Sequence, residues 1–237
     1  MIFSKELILR QLFERETSTY TYIIYDKNSL EAVIIDPVRE TIERDCKLID
    51  DLELKLRWSL ETHLHADHIT SASQLSDKYN CKIAISSFAE VSKEGVTLLQ
   101  DRQIVEINPS FKIEVIATPG HTNCSISFLI NDMLFSGDTL LIRGCGRTDF
   151  QQGSNEQLFE SVRTKLFSLP DMTRVFPGHN YKGELSSSIL EEKKYNPRLK
   201  EDNSFDQFCS IMNNLNLSHP KQIEIALPAN KVCGAQL

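Results

Sequence analysis

The chain has 237 residues, 41% hydrophobic and 25% charged, with 26 basic against 33 acidic side chains. This excludes a disordered, collagen-like or coiled-coil chain, and the length allows one large domain with a substantial core. A net charge of −7 argues against a surface built to hold phosphate backbones, so no nucleic-acid partner is expected. The uncharged run from Val115 to Asn131 is interrupted by Pro119, Gly120, His121 and Asn123, so no membrane span is expected. The N-terminal MIFSKELILRQ carries Lys5, Glu6 and Arg10 and lacks the apolar stretch and cleavage site of a signal peptide, which points to a cytoplasmic location. Cys46, Cys81, Cys124, Cys145, Cys209 and Cys233 form no C-x-x-C pair and read as free, mostly buried thiols.

In chain order, runs rich in Val, Ile, Phe and Tyr predict strands at 20–25, 31–36, 56–62, 82–86, 111–117, 125–130, 133–136 and 173–176. Between and after them the periodicity predicts helices. Ile42, Cys46, Ile49 and Leu52 share one stripe, and Ile69, Ala72, Leu75 and Tyr79 another. Ser154-x-x-Gln157 looks like a capping box before Leu158, Val162 and Leu166, and Ser204-x-x-Gln207 repeats the signature. Many strands with interspersed helices indicate a layered α/β or α+β domain. The expectation is a single domain over 1–237, with a mainly helical segment at 182–237 packed on it.

Five of the six histidines fall in three short segments, T-H-L-H-A-D-H (62–68), T-P-G-H-T (118–122) and F-P-G-H-N (176–180), and F-S-G-D-T (135–139) adds Asp138. Each follows a predicted strand, where loops expose side chains held by a rigid frame. The adjacent Gly120, Gly137 and Gly178 suit tight turns and close backbone approach. Imidazoles and carboxylates converging in this way describe a transition-metal site for zinc or iron. A lone histidine is usually a surface or satisfied core residue, but H-x-H-x-D-H followed by three further strand-end ligands is far more specific. His219 stands outside every motif and reads as a surface residue.

The ordered set His63, His65, Asp67, His68, His121, Asp138 and His179 resembles the metal signature of the metallo-β-lactamase superfamily. That resemblance implies an α+β fold, a four-layer αβ/βα sandwich. The longer segments QLFERETSTYTYIIYD, AVIIDPVRET, LIRGCGRTDFQQG (141–153), NPRL, IMNNLNL, IALPAN and the CG pair resemble the persulfide dioxygenase family, from Gln11 to Gln236. The resemblance implies oxidation of glutathione persulfide by O₂ to sulfite and glutathione at one non-haem Fe(II) per subunit. By resemblance His63, His121 and Asp138 are its ligands and so the catalytic set, with positions left open for sulfur and O₂.

His65, Asp67, His68 and His179 would then surround the ligands. The residues alone also permit a second metal held by Asp67, His68 and His179 with Asp138 bridging, as in a glyoxalase II-like thioester hydrolase acting on hydroxyacylglutathione. Arg147 and Tyr181 match family residues at the glutathione pocket, a planar guanidinium being suited to a carboxylate. For Arg147 a salt bridge with Asp149 is the structural alternative, and both roles are compatible. Arg143, Cys145 and Asn180 are further candidates, and for Cys145 packing in a Gly-rich loop is at least as good a reading as a redox thiol. For Cys233 packing or a subunit contact is the better reading. The family also implies a homodimer and a rhodanese-type sulfurtransferase as a possible partner.

Overall fold

In the computed structural model, residues 6–215, 217–219 and 222–235 are described. Residues 1–5 of the N-terminal stretch, Asn216 of the IMNNLNL motif and Gln236 at the end of the resemblance lie outside them.

Among the described residues, twelve strands form two six-stranded mixed sheets. The first joins β1 (Leu7–Glu14), β2 (Thr19–Asp26), β3 (Glu31–Ile35), β4 (Lys55–Leu60), β5 (Lys82–Ser86) and β6 (Thr97–Leu99) in chain order. Its first three strands are antiparallel and β3 to β6 run parallel. The second holds β7 (Ile104–Asn108), β8 (Phe111–Ala117), β9 (Ile126–Ile130), β10 (Met133–Gly137), β11 (Arg174–Pro177) and β12 (Ser187–Ser188), with β10 and β11 parallel.

Period-two alternation decides which residues fill which layer. On β2 and β3, Tyr22, Ile24, Val33 and Ile35 face the core between the sheets, where they meet Phe111, Ile113, Val115, Phe128 and Phe135. The intervening Ile23, Tyr25, Ala32 and Ile34 face outward under α1 (Ile42–Asp51) and α2 (Ala72–Tyr79). On the opposite outer face, Leu134, Leu140 and Val175 are covered by Leu158 of α3 (Asn155–Glu160), Ile189 of α4 (Ile189–Tyr195) and Phe208 and Met212 of α5 (Phe205–Asn213). The order helix, sheet, sheet, helix is the expected four-layer sandwich. Helix α6 (Ile223–Lys231) lies near β5, with Leu227 against the Leu64, Ile85 and Ala89 cluster.

The structure departs from the sequence reading in several places. Strands β1, β6, β7 and β12 were not expected. β1 alternates poorly, LILRQLFE, and is held by its antiparallel ladder from Leu7 against Asp26 to Glu14 against Thr19. Helix α2 starts at Ala72 rather than Ile69, because Ile69 O is taken by Arg39 N–H (2.8 Å) and Thr70 N–H by Asn230 Oδ1 (2.9 Å). Ser154 caps α3 through Gln157 N–H (3.2 Å), but its own N–H goes to Gly120 O (2.8 Å), so the reciprocal half of the box belongs only to Ser204 and Gln207. After Glu160 the helix widens to π geometry over Ser161–Leu166, while Leu158, Val162 and Leu166 stay fully buried. All six cysteines are free. No helix among the described residues is long and apolar enough to cross a membrane.

Candidate metal centre

The ligand candidates sit just past strand ends: His63 after β4, His121 after β8, Asp138 after β10 and His179 after β11. The parallel pair β10 and β11 ends side by side, which brings Asp138 and His179 together. Gly178 allows this closeness, since a Cβ there would lie 2.7 Å from Asp138 Oδ1.

His63, His121 and Asp138 each offer one ligand atom, all within 4.8 Å of one another. Hydrogen bonds from behind fix both imidazoles. The Thr62 hydroxyl donates to Asp36 Oδ2 (2.8 Å) and so accepts from His63 Nδ1 (3.0 Å). Arg147 O accepts from His121 Nδ1 (2.7 Å). With the proton on Nδ1 in both rings, the Nε2 lone pair is free, which is the tautomer a metal needs. Burial, then the neighbouring His65 and His121, keep the His63 pKa well below the usual histidine value, so the ring is neutral and able to ligate.

Asp138 accepts from His179 Nδ1 through Oδ1 (2.7 Å), and its Oδ2 lies 3.7 Å from His121 Nε2. Burial would raise this carboxyl, but His179 and His121 outweigh it and hold it below the ordinary carboxylate value. It is therefore an anionic donor with one oxygen steadied and the other free.

His179 is spanned by two carboxylates, with Nδ1 on Asp138 and Nε2 3.0 Å from Asp67 Oδ2. Burial opposes its protonation, yet Asp138 and Asp67 together push its pKa well above the histidine norm. Asp67 Oδ2 also meets His68 Nδ1 (3.0 Å) and Thr19 Oγ1 (3.3 Å). Both ring nitrogens of His179 thus face carboxylates, and Asp67 gathers its three neighbours on Oδ2 alone, while His65, Asp67 and His68 also offer ligand atoms within 4.8 Å of one another. His65 turns its Nε2 toward Asp36 Oδ1 (3.1 Å) and Glu61 Oε2 (3.5 Å). Asp36 and Glu61 were missed in the sequence reading; the signal for Asp36 was a carboxylate directly after the apolar run of β3 in AVIIDPVRET.

The centre opens into a cavity of about 670 Å³ lined by Leu141, Ile142, Phe150 and Leu217 and by four cations, Arg143, Arg147, Lys182 and Arg198. The 141–153 segment wraps its rim. Gly146 is forced by proximity, because a Cβ would lie 2.7 Å from His121 Nδ1 and 2.5 Å from Asp138 O.

Arg147 binds Asp149 in a fork (Nε to Oδ1 2.6 Å, Nη2 to Oδ2 2.8 Å) and stacks over Phe150. Arg143 is committed to Glu191 and the fully buried Glu192 of α4. Arg198, which the sequence reading passed over, makes no ion pair among the described residues. It donates to Cys145 O (2.8 Å) and still lines the cavity, as does Lys182. Tyr181 stacks parallel to His179 at 6.1 Å between ring centres and is otherwise exposed. Asn180 shapes its own loop, its Oδ1 accepting from Lys182 and Glu184 N–H (2.8 and 2.9 Å). Cys145 is buried against Met212 and Arg198, and burial raises its pKa to about 11, which keeps it a packed thiol rather than a thiolate. Cys233 is buried beside Ala72 and Ile83. His219 is exposed as expected, but its ring stands edge-on to Phe150 at 5.0 Å.

A two-sheet sandwich with histidines and aspartates beyond its strand ends defines a metal-dependent superfamily. The metallo-beta-lactamase superfamily model matches residues 15–179. The mitochondrial persulfide dioxygenase ETHE1 of Mus musculus is 45% identical over 97% of this chain and 90% of its own length, and that of Homo sapiens 44% over the same shares. The crystal structure of ETHE1 from Myxococcus xanthus superposes with a TM-score of 0.92 at 46% identity, covering 96% of this chain and all of that one. A probable zinc-dependent hydrolase of polyketide biosynthesis, BaeB of Bacillus velezensis, is 32% identical over 86% of this chain and 92% of its own. The chain belongs to the metallo-β-lactamase superfamily and, within it, to the persulfide dioxygenases.

Proposed function

We propose that this enzyme is a mononuclear iron persulfide dioxygenase that converts glutathione persulfide, O₂ and water to glutathione and sulfite. The observation that carries the reading is the His63, His121 and Asp138 cluster in a chain 44–45% identical to persulfide dioxygenases. The glyoxalase II-like alternative would use His179, Asp67 and His68 to hold a second metal.

The donor set fits Fe(II): two imidazoles whose Nδ1 atoms are held from behind, leaving Nε2 for a metal, and one carboxylate oxygen. When bound, iron supplies the joint activation of the persulfide sulfur and O₂. The protein does the rest. Asp36, acting through Thr62, orients His63, and the Arg147 carbonyl orients His121. His179 donates to Asp138 and leaves its other oxygen for the metal. Arg198 and Lys182, with no acidic partner among the described residues, offer charge to the substrate carboxylates, and Arg147 can add to this where Asp149 leaves donors free. Leu141, Ile142, Phe150 and Leu217 keep the reacting end dry. A homodimer and hand-over of sulfur chemistry to a rhodanese-type sulfurtransferase belong to the same reading.

The test is O₂ uptake by anaerobically Fe(II)-loaded protein on addition of glutathione persulfide, with sulfite and metal content measured on the same sample. One iron per chain with matched O₂ loss and sulfite gain is expected. Two metals per chain with thioester hydrolysis, and no O₂ uptake, would sink the proposal.

A further inference from the structure

The conspicuous group outside the metal shell is a single buried amide. Asn230, on α6, is 3% exposed and comes from the opposite end of the chain to the H-x-H-x-D-H loop. Its Nδ2 donates to His65 O and to His68 O, each at 2.9 Å, and its Oδ1 accepts from Thr70 N–H at 2.9 Å. One side chain thus satisfies three main-chain groups of one loop, groups that would otherwise be buried without water. Only a carboxamide of this length offers donors and an acceptor together; an aspartate keeps the acceptor and loses both donors.

The helix that delivers it is itself anchored on the same region. Ser73 N–H donates to Cys233 O (3.0 Å), Ser92 N–H to Lys231 O (2.8 Å), and the Arg39 guanidinium to Gly234 O. Thr70 closes the far end of the loop by donating its hydroxyl to Glu61 Oε1 (2.6 Å). The loop so fixed carries His63 directly. It also carries Asp67, which meets His179, which in turn holds Asp138.

We infer that Asn230 is a positioning residue for the metal centre: through its carboxamide, the C-terminal helix sets the register of the ligand loop and thereby metal retention. The inference rests on the metal-site reading above. It accounts for a C-terminal segment that contributes no ligand yet reaches the site.

The experiment compares the wild type with Asn230→Asp and with Ala229→Gly, which loosens α6 without touching the amide. Each is loaded with Co(II), and three things are read: the visible Co(II) spectrum, the rate of metal release to a chelator, and hydrogen exchange across residues 62–73. Asn230→Asp is expected to release Co(II) about tenfold faster or more, with a changed spectrum and faster exchange confined to the loop. Ala229→Gly is expected to melt earlier while keeping the wild-type spectrum and release rate. If Asn230→Asp does not fold, Asn230→Ser, which retains at most part of the hydrogen bonding, takes its place. Wild-type release and exchange in the Asn230 variants would overturn the inference, as would equal metal loss in Ala229→Gly. A wild type that holds no Co(II) while Asn230→Asp still loses loop protection would instead overturn the metal reading and leave the clamp standing.

Discussion

Gly146→Ala tests the geometry of the centre directly. The added methyl would meet His121 Nδ1 at 2.7 Å and Cγ at 2.8 Å, and Asp138 O at 2.5 Å. Ordinary carbon contact begins near ~3.5 Å, so the His121 ring must retreat by about 0.8 Å or the 144–147 backbone must give. That backbone is pinned by Gly146 N–H on Asp138 O (2.6 Å) and carries the Arg147 carbonyl that orients His121. Overpacking of this kind costs about 1–3 kcal/mol, a fall in Tm of about 2–4 °C per kcal/mol at this chain length. The functional loss should be larger in proportion, because a ligand displaced by about 1 Å can cost about 100-fold in rate. The control is Gly144→Ala, two residues away, where a Cβ meets only Leu141 Cβ at 3.8 Å. Steady-state O₂ consumption, iron content and a thermal melt on both variants decide the matter. Gly146→Ala turning over within twofold of the wild type, or Gly144→Ala failing alongside it, would refute the reasoning.

Arg198→Met should raise KM for glutathione persulfide about tenfold or more at nearly constant kcat; an unchanged KM would remove Arg198 from substrate binding. Arg143→Met should act on stability instead. It removes the cation from the fully buried Glu192 carboxylate, which keeps hydrogen bonds from Ser187, Asn196 and the Arg143 N–H, so a loss of about 1.5–3 kcal/mol is expected, and urea denaturation measures it. Cys145 supplies a pH prediction. Its folded pKa lies above the unfolded value of 9.0, at about 11, so its contribution is complete below pH 9.0 and is lost as the pH rises toward 11. Stability should fall over that window, and Cys145→Ala should flatten the fall; an equally steep loss in the variant would contradict the assignment.

Much of the centre was legible in the sequence because metal chemistry restricts residue type and strands restrict place. H-x-H-x-D-H, His121, Asp138 and His179 could be put beyond strand ends because each follows a run rich in β-branched and aromatic residues. The 141–153 segment was singled out by resemblance, and the structure gives a reason for its composition in Gly146, which lies against His121. Strands such as Phe111–Ala117, where Phe111, Ile113 and Val115 alternate with Lys112 and Glu114, were equally plain. Strand β1 was not, because its pattern is weak and its pairing with β2 fixes it; nor was the late start of α2, set by Arg39 and Asn230 taking the groups that would have begun it.

What the sequence determined by itself was the set of donors and the family they belong to. It could not divide ligands from their supports, because a histidine bound to a metal and one bound to a carboxylate are the same letter. Tertiary structure supplied the neighbours of each donor. It set His179 between Asp138 and Asp67, turned His65 toward Asp36, and brought Asn230 under the ligand loop from 160 or more residues away. These are contacts between segments distant in the chain, and only chain closure into two packed sheets brings them within hydrogen-bond distance.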